Sequence, residues 1–265
     1  MKNILFVLIL LLCVTLLIFG KQQYDQKLNK IAKEAKETIG QPVSSQHDQK
    51  EPLQGEMELE IIDGIDPHLQ DKLINAIANN ESINLAIFGS NAMATAEGTE
   101  TAWVNLVIDE LKSTYGEELF DVQIFEVGNR TTYEVIESRI HSEVAQFHPD
   151  ILLFEPLLLN DNGNATMDLT LSNITTIVTE IQANSPEVLV ILQPPNPIYN
   201  PNYYFSQVSE LEEFAETQGY VYIDHWEAWP DITDEAILDY IDRTRPNQKG
   251  HEVWASAVIE YFTGK

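Results

Sequence analysis

Ile83-Asn84-Leu85-Ala86-Ile87-Phe88-Gly89-Ser90-Asn91-Ala92-Met93 is an apolar, β-branched run that stops on a glycine and then turns polar. Ile83 to Phe88 is too short for a globular helix and reads as a strand buried on both faces, with Gly89 and Ser90 as the turn out of it. The same signature recurs at Val122 to Val127, Ile151 to Phe154, Val188 to Leu192 and Val221 to Ile223. Between these runs lie helical candidates at Pro67 to Asn79, Thr101 to Tyr115, Thr131 to Phe147, Met167 to Asn184, Phe205 to Gln218 and Gln248 to Phe262. Near-continuous apolar strands alternating with helices indicate an α/β fold, a three-layer αβα sandwich around a central parallel sheet. With 265 residues, 44% of them hydrophobic, the chain is long enough to bury one large core, placed here over residues 61–265.

Upstream, the chain changes character. Ile4 to Phe19 is apolar except for Thr15, close to the ~20 residues that a membrane helix requires. No small-x-small cleavage site follows, because Ile18, Phe19, Gly20 and Lys21 lead straight into polar sequence, and Leu12 before Cys13 is too large for a usual lipoprotein site. Residues 1–20 are therefore expected to form an uncleaved, single-pass anchor helix that partners the membrane, with a cleaved export signal as the alternative. Lys21, Lys27, Lys30, Lys33 and Lys36 follow the span and by the positive-inside rule would hold the C-terminal side in the cytoplasm. The short basic start and the long acidic domain behind it argue the reverse, so the expected location is a cell membrane with the domain outside the cytoplasm. Tyr24, Leu28, Ile31 and Ala35 fall at helical spacing, Gly40 and Pro42 end that helix, and Gln41 to Glu60 has no period. Residues 21–60 read as a stalk helix and a flexible linker.

Charge narrows the partners. Lys+Arg number 15 against 42 Asp+Glu, a formal net charge of −27, which divides into +3 for residues 1–50 and −30 for residues 51–265. That balance excludes the phosphate-neutralising face of a nucleic-acid binder. Cys13 is the single cysteine and lies in the apolar segment, so neither an intrachain disulfide nor a thiolate metal cage is available. Asn160 to Asn164 lacks the alternating carboxylates and closing Glu of a calcium loop, and no glycine-rich phosphate loop or zinc-helix spacing occurs. No cofactor and no metal are expected.

In a parallel α/β sheet the ligand site lies beyond the carboxyl ends of the strands. Four segments there carry chemistry: Gly89-Ser90-Asn91, Gly128-Asn129-Arg130, Leu158-Leu159-Asn160-Asp161, and Asp242-Arg243-Thr244-Arg245-Pro246-Asn247-Gln248-Lys249-Gly250-His251. In order and spacing, over residues 82–262, these blocks resemble the SGNH/GDSL hydrolases. That family places Gly-Asp-Ser after the first strand, Gly after the second, Gly-x-Asn-Asp after the third and Asp-x-x-His-Pro-Asn before the last helix. The resemblance implies a flavodoxin-like fold and ester hydrolysis by a serine nucleophile, with Gly128 and Asn160 in the oxyanion hole and Asp242 behind the base.

The departures fall on the reacting groups. Aligned on Gly89, the family's Asp falls on Ser90 and its nucleophile on Asn91; aligned on Pro246-Asn247, its general base falls on Arg245, and Leu158 takes the place of a Gly. An amide does not serve as an acyl-accepting nucleophile here, and a guanidinium remains protonated and accepts no proton. Ser90, one position earlier on the same turn, is the remaining candidate nucleophile, and His225 or His251 the remaining candidate base. Structural readings stand beside each: a helix-capping hydroxyl for Ser90, a loop or packing histidine for His225, a helix-start histidine for His251, a side-chain turn for Asn160-Asp161, and an Asp242–Arg245 ion pair. Trp226, Trp229, Tyr203 and Tyr204 could stack on sugar rings or pack the rim. Two functions follow: an esterase acting on O-acyl groups of cell-surface carbohydrate or lipid, or a non-catalytic module binding a surface glycan or a partner protein.

The −30 charge of residues 51–265 gives the first prediction. Such a domain repels itself at low ionic strength, so its melting temperature should rise from about 0.01 to about 0.5 M NaCl as the screening length shrinks several-fold. A flat or falling curve would exclude self-repulsion as a significant destabilising force.

Overall fold

In this computed structural model the described residues are 64–95 and 100–265; the expected anchor, stalk and linker of residues 1–60 lie outside them. Strand β1 (Ile83–Gly89) pairs in parallel with β2 (Phe120–Glu126) on one side and with β3 (Ile151–Phe154) on the other. β4 (Leu189–Leu192) and β5 (Val221–Tyr222) continue the sheet, all parallel, in the order β2-β1-β3-β4-β5. The chain therefore steps outward in one direction from β1 to β2 and in the other from β3 to β5. The switch between these directions falls between β1 and β3, at whose carboxyl ends such sheets hold their ligands.

Alternation along the strands divides the core in two. Leu85, Ile87, Leu153 and Ile191 face helices α1 (Pro67–Asn79), α2 (Trp103–Tyr115) and the C-terminal helix; Phe88, Leu152, Phe154 and Leu192 face the opposite layer. On the second side lie α3 (Thr132–Glu137), α4 (His141–Gln146), α6 (Met167–Asn184) and α7 (Tyr204–Gln218), with the short α5 (Leu158–Asp161) before α6. Phe88 and Phe154 stack with centroids 4.7 Å apart, joining β1 and β3 on that face. The predicted three-layer α/β arrangement is thus what these residues build. Among the described residues no helix is long and apolar enough to cross a membrane.

Most predicted elements stand within two residues of their expected bounds, because their start signals are physical caps. Asp66 accepts N–H bonds from His68 and Leu69 ahead of Pro67, and Thr131 with Glu134 forms a full capping box. The single helix expected over Thr131 to Phe147 is instead two. Ser138 donates its hydroxyl to Glu134 O at 2.6 Å, Arg139 turns left-handed at φ 55, and the chain restarts as α4. The turn delivers His141 Nε2 to 2.8 Å from Glu180 on α6, where the Ser142 hydroxyl also donates at 2.6 Å.

One feature had no strand-length signal: a two-residue hairpin of β6 (Ile241–Asp242) and β7 (Arg245–Pro246), pairing Asp242 with Arg245. It leads into the C-terminal helix α8 (Gln248–Thr263), capped by Asn247, whose side chain accepts from Gly250 N–H at 3.2 Å. Gly250 is where hairpin and helix meet: a Cβ there would strike the Tyr240 carbonyl and lie 2.9 Å from the Trp229 ring. Gly250→Ala should therefore destabilise the domain by about 1–3 kcal/mol, as over-packing against backbone does. Gly163→Ala is the comparison, since open space surrounds that position and its cost is the backbone strain of an alanine at φ +79 alone, about 1 kcal/mol. Equal denaturant midpoints for the two variants would contradict the packing described.

Candidate functional site

Each strand of the central pair ends on a polar group. Ser90 follows β1, is only 4% exposed, and opens a single 3₁₀ turn over Asn91–Met93. Its hydroxyl accepts the Ala92 N–H at 3.2 Å, the capping geometry that a serine supplies there. Its backbone N–H donates to Glu155 Oε2 at 2.8 Å. Glu155 follows β3, is fully buried, and takes the Leu157 N–H on Oε1 at 3.0 Å. Gly89 permits this approach, because a Cβ at that position would meet Glu155 Cβ and Oε2 at 2.9 Å each. Burial pushes the Glu155 carboxyl up to about 7, against hydrogen bonds from Ser90 and Leu157 that pull it down.

Asn91 is held from three directions. Its backbone N–H donates to Gly128 O at 3.1 Å, its side-chain amide donates to Asn129, and its carbonyl accepts Arg245 Nη2 at 2.5 Å. The same Nη2 reaches Ala94 O at 3.0 Å. Gly128, left-handed at φ 69, donates its N–H to Glu126 Oε1 at 2.7 Å. Asn160 sits in α5 and donates Nδ2 to Gly128 O at 3.2 Å and to Arg130 O at 2.9 Å. Ser90, Asn91, Gly128, Asn160 and Arg245 thus form one connected constellation around the end of β1.

Asp242 and His251 stand outside it. Asp242 is exposed on the hairpin, and its carboxylate makes no ion pair with the Arg245 guanidinium, which has turned inward to the Asn91 and Ala94 carbonyls. Backbone pairing brings the two residues together; their side chains part. His251 is buried, with Nδ1 accepting the Trp103 N–H at 3.2 Å and Nε2 unpartnered. Desolvation, with the charge of Arg245, lowers its pKa to about 4. His225 donates Nε2–H to Pro194 O at 2.8 Å, accepts Trp229 Nε1–H on Nδ1 at 3.1 Å, and stacks on Trp254 at 4.3 Å. Burial lowers it to about 3. Both imidazoles are neutral core groups, and neither hydrogen-bonds Ser90.

Leu158 is buried in α5, and the left-handed residue of this loop is Leu157 before it, at φ 63. Asp161 is a structural anchor, accepting Thr132 N–H, Thr132 Oγ1–H and Thr170 Oγ1–H at 2.8, 2.6 and 2.7 Å. Of the aromatic residues singled out in the sequence, Tyr204 and Trp229 are buried, and Trp226 packs edge-on against Tyr204 while donating to Pro195 O at 2.7 Å. Tyr203 is 77% exposed, and Tyr199 and Phe205 are 36% and 53% exposed. Sequence reasoning missed Glu155, which carried a signal, a lone carboxylate directly closing the all-apolar Ile151–Phe154. Among the described residues no group of three His, Cys, Asp or Glu side chains is placed to hold a metal ion.

This architecture is that of the SGNH/GDSL hydrolases, whose fold the chain shares. A GDSL-like protein of Parabacteroides merdae superposes with a TM-score of 0.58 at 10% identity, over 69% of this chain and 97% of that one. An acetylxylan esterase of Geobacillus stearothermophilus gives 0.54 at 17% identity, over 68% and 94%, and a lipase/acylhydrolase of Enterococcus faecalis 0.54 at 19%, over 69% and 96%. No protein-family profile and no curated sequence matches the chain.

Glu155 yields a pH prediction. Its folded pKa of about 7 lies above the ordinary carboxylate value of 4.5, so the folded state binds more protons than the unfolded one between these values, and stability from this group falls as pH rises through 7. The two buried histidines act oppositely and at lower pH, since their folded values of about 3 and 4 lie below 6.5 and stability rises as the unfolded-state imidazoles lose their protons. Subtraction separates them: the stability difference between parent and Glu155→Gln should shift by about 3 kcal/mol against the parent from pH 5 to pH 8. A pH-independent difference would show that Glu155 stays ionised throughout.

Proposed function

We propose that the chain is a non-catalytic SGNH/GDSL-like domain that uses the carboxyl edge of its sheet to bind a cell-surface glycan. One observation carries this reading: the donors that would stabilise an oxyanion already have protein partners. Asn91 N–H goes to Gly128 O, Gly128 N–H goes to Glu126, and the Asn160 amide is divided between two carbonyls. An oxyanion hole works because its donors await the charge that develops in the transition state. With those donors occupied, Asn91 at the nucleophile position and Arg245 at the base position, the arrangement has neither an imidazole base for Ser90 nor a free receptor for a tetrahedral oxygen.

Support for a saccharide comes from the rim. Tyr199 and Tyr203 leave aromatic surface in solvent on the loop after β4, of the kind that stacks on sugar rings. The Asn196 amide ties this loop to the hairpin by donating to Thr244 O at 3.1 Å. One of the structures with the same fold is described as an acetylxylan esterase, and a cleft for a decorated polysaccharide would keep its shape after losing its chemistry.

The full chain assayed with p-nitrophenyl acetate and with acetylated xylo-oligosaccharide should give rates no higher than its Ser90→Ala variant. Hydrolysis that disappears in Ser90→Ala would overturn the reading and restore Ser90 as nucleophile. Asn91→Ser and Arg245→His should each yield little alone, since nucleophile and base act as a unit.

A further inference from the structure

Arg245 is a cation without a counter-ion in a domain crowded with anions. Its Nη2 bonds two backbone carbonyls, and its Nε is buried with no partner. Among the described residues Nη1 has no hydrogen-bond partner, and the residue as a whole is partly exposed. Among the described residues the ion pairs within 4.0 Å are Lys112–Glu117 and those of Arg139 and His141 with Glu180, so Arg245 has none. Residues 51–265 contain eight Lys and Arg, and four of them, Arg130, Arg243, Arg245 and Lys249, lie in the segments at the carboxyl edge or at the start of α8.

Placing a half-buried guanidinium beside no carboxylate, where 38 acids are available in residues 51–265, leaves its charge for an external partner. The carbonyls of Asn91 and Ala94 fix the group in one orientation, which removes the rotamer entropy that a flexible surface cation loses on binding. From these contacts we infer that the bound saccharide carries one anionic group, a carboxylate or a phosphate, seated on Arg245 beside Asn91. This rests on the glycan reading above and deepens it. The aromatic loop supplies the sugar contact, and its Asn196–Thr244 bond sets it next to the residue preceding Arg245. The surrounding −30 charge opposes a dense polyanion by long-range repulsion, so a saccharide with a single acidic substituent fits and a heavily charged polymer does not.

The test titrates the full chain in detergent micelles with glucose, glucuronate and glucose 6-phosphate at constant ionic strength, followed by saturation-transfer NMR. Glucuronate or glucose 6-phosphate should bind about tenfold more tightly than glucose, as one charge-assisted hydrogen-bonding group supplies; the tighter of the two identifies carboxylate or phosphate. Arg245→Gln should reduce that preference to the glucose level, and Arg245→Lys should keep part of it. If Arg245→Gln fails to fold, the parent's preference decides alone. Equal binding of all three sugars would overturn the anion inference while leaving the glycan reading in place. Binding of none overturns it too, as does a preference that persists in folded Arg245→Gln. Ester hydrolysis by the parent would strike the non-catalytic reading instead.

Discussion

The carboxylate of Glu155 accepting the N–H of Ser90 is the contact on which the site depends. It crosses the switch point of the sheet and joins the turn after β1 to the loop after β3. Both ends of the bond are buried, so neither donor nor acceptor has water as an alternative, and removing either leaves the other unsatisfied. Gly89 is there because no side chain fits against that carboxylate. Leu157 accepts a left-handed backbone because its N–H closes on the second oxygen of the same group. One buried acid therefore fixes a capped turn, a missing Cβ and a strained residue at once.

A guanidinium at the hairpin sets the direction of the hydrogen bonds there. A histidine base has to present an acceptor to a hydroxyl; Arg245 has donors only, and it finds the nearest acceptors in the Asn91 and Ala94 carbonyls. Those bonds tie the hairpin to the β1 turn. The Asp242 carboxylate is exposed and the expected Asp242–Arg245 ion pair does not form; an exposed pair would contribute little, while the inward contacts give the guanidinium two acceptors in a partly buried site.

The parallel strands and long helices were legible because each is specified locally. Ile151–Phe154 and Pro67–Asn79 carry their apolar pattern and boundaries within themselves, and the structure keeps both as read. The elements that were not legible are those fixed by distant partners. The break at Arg139 is held by Glu180, about forty residues away, through His141 and Ser142. The hairpin of Asp242 and Arg245 has two residues per strand, too few to leave a period. At the site, block order placed Ser90, Asn91, Gly128, Asn160 and Arg245 at one edge. What their N–H groups bond to was hidden, since the occupants are Glu126, two residues before Gly128, and carbonyls that no pattern marks.

That hidden layer separates the two functional readings. A working oxyanion hole keeps polar groups unsatisfied until the reaction, which is a standing cost to stability. Here the backbone N–H groups of Ser90, Asn91 and Gly128 and the Asn160 amide each have an internal acceptor, and the one buried donor of the constellation without a partner is the Arg245 Nε. The end of β1 is a satisfied hydrogen-bond network at the place where the SGNH/GDSL resemblance implies a reacting centre. A side chain such as Arg245 that keeps an uncompensated charge in those surroundings is consistent with selection for binding more than for turnover, because catalysis at this edge needs an acceptor in that position and recognition of an acidic group needs a fixed donor.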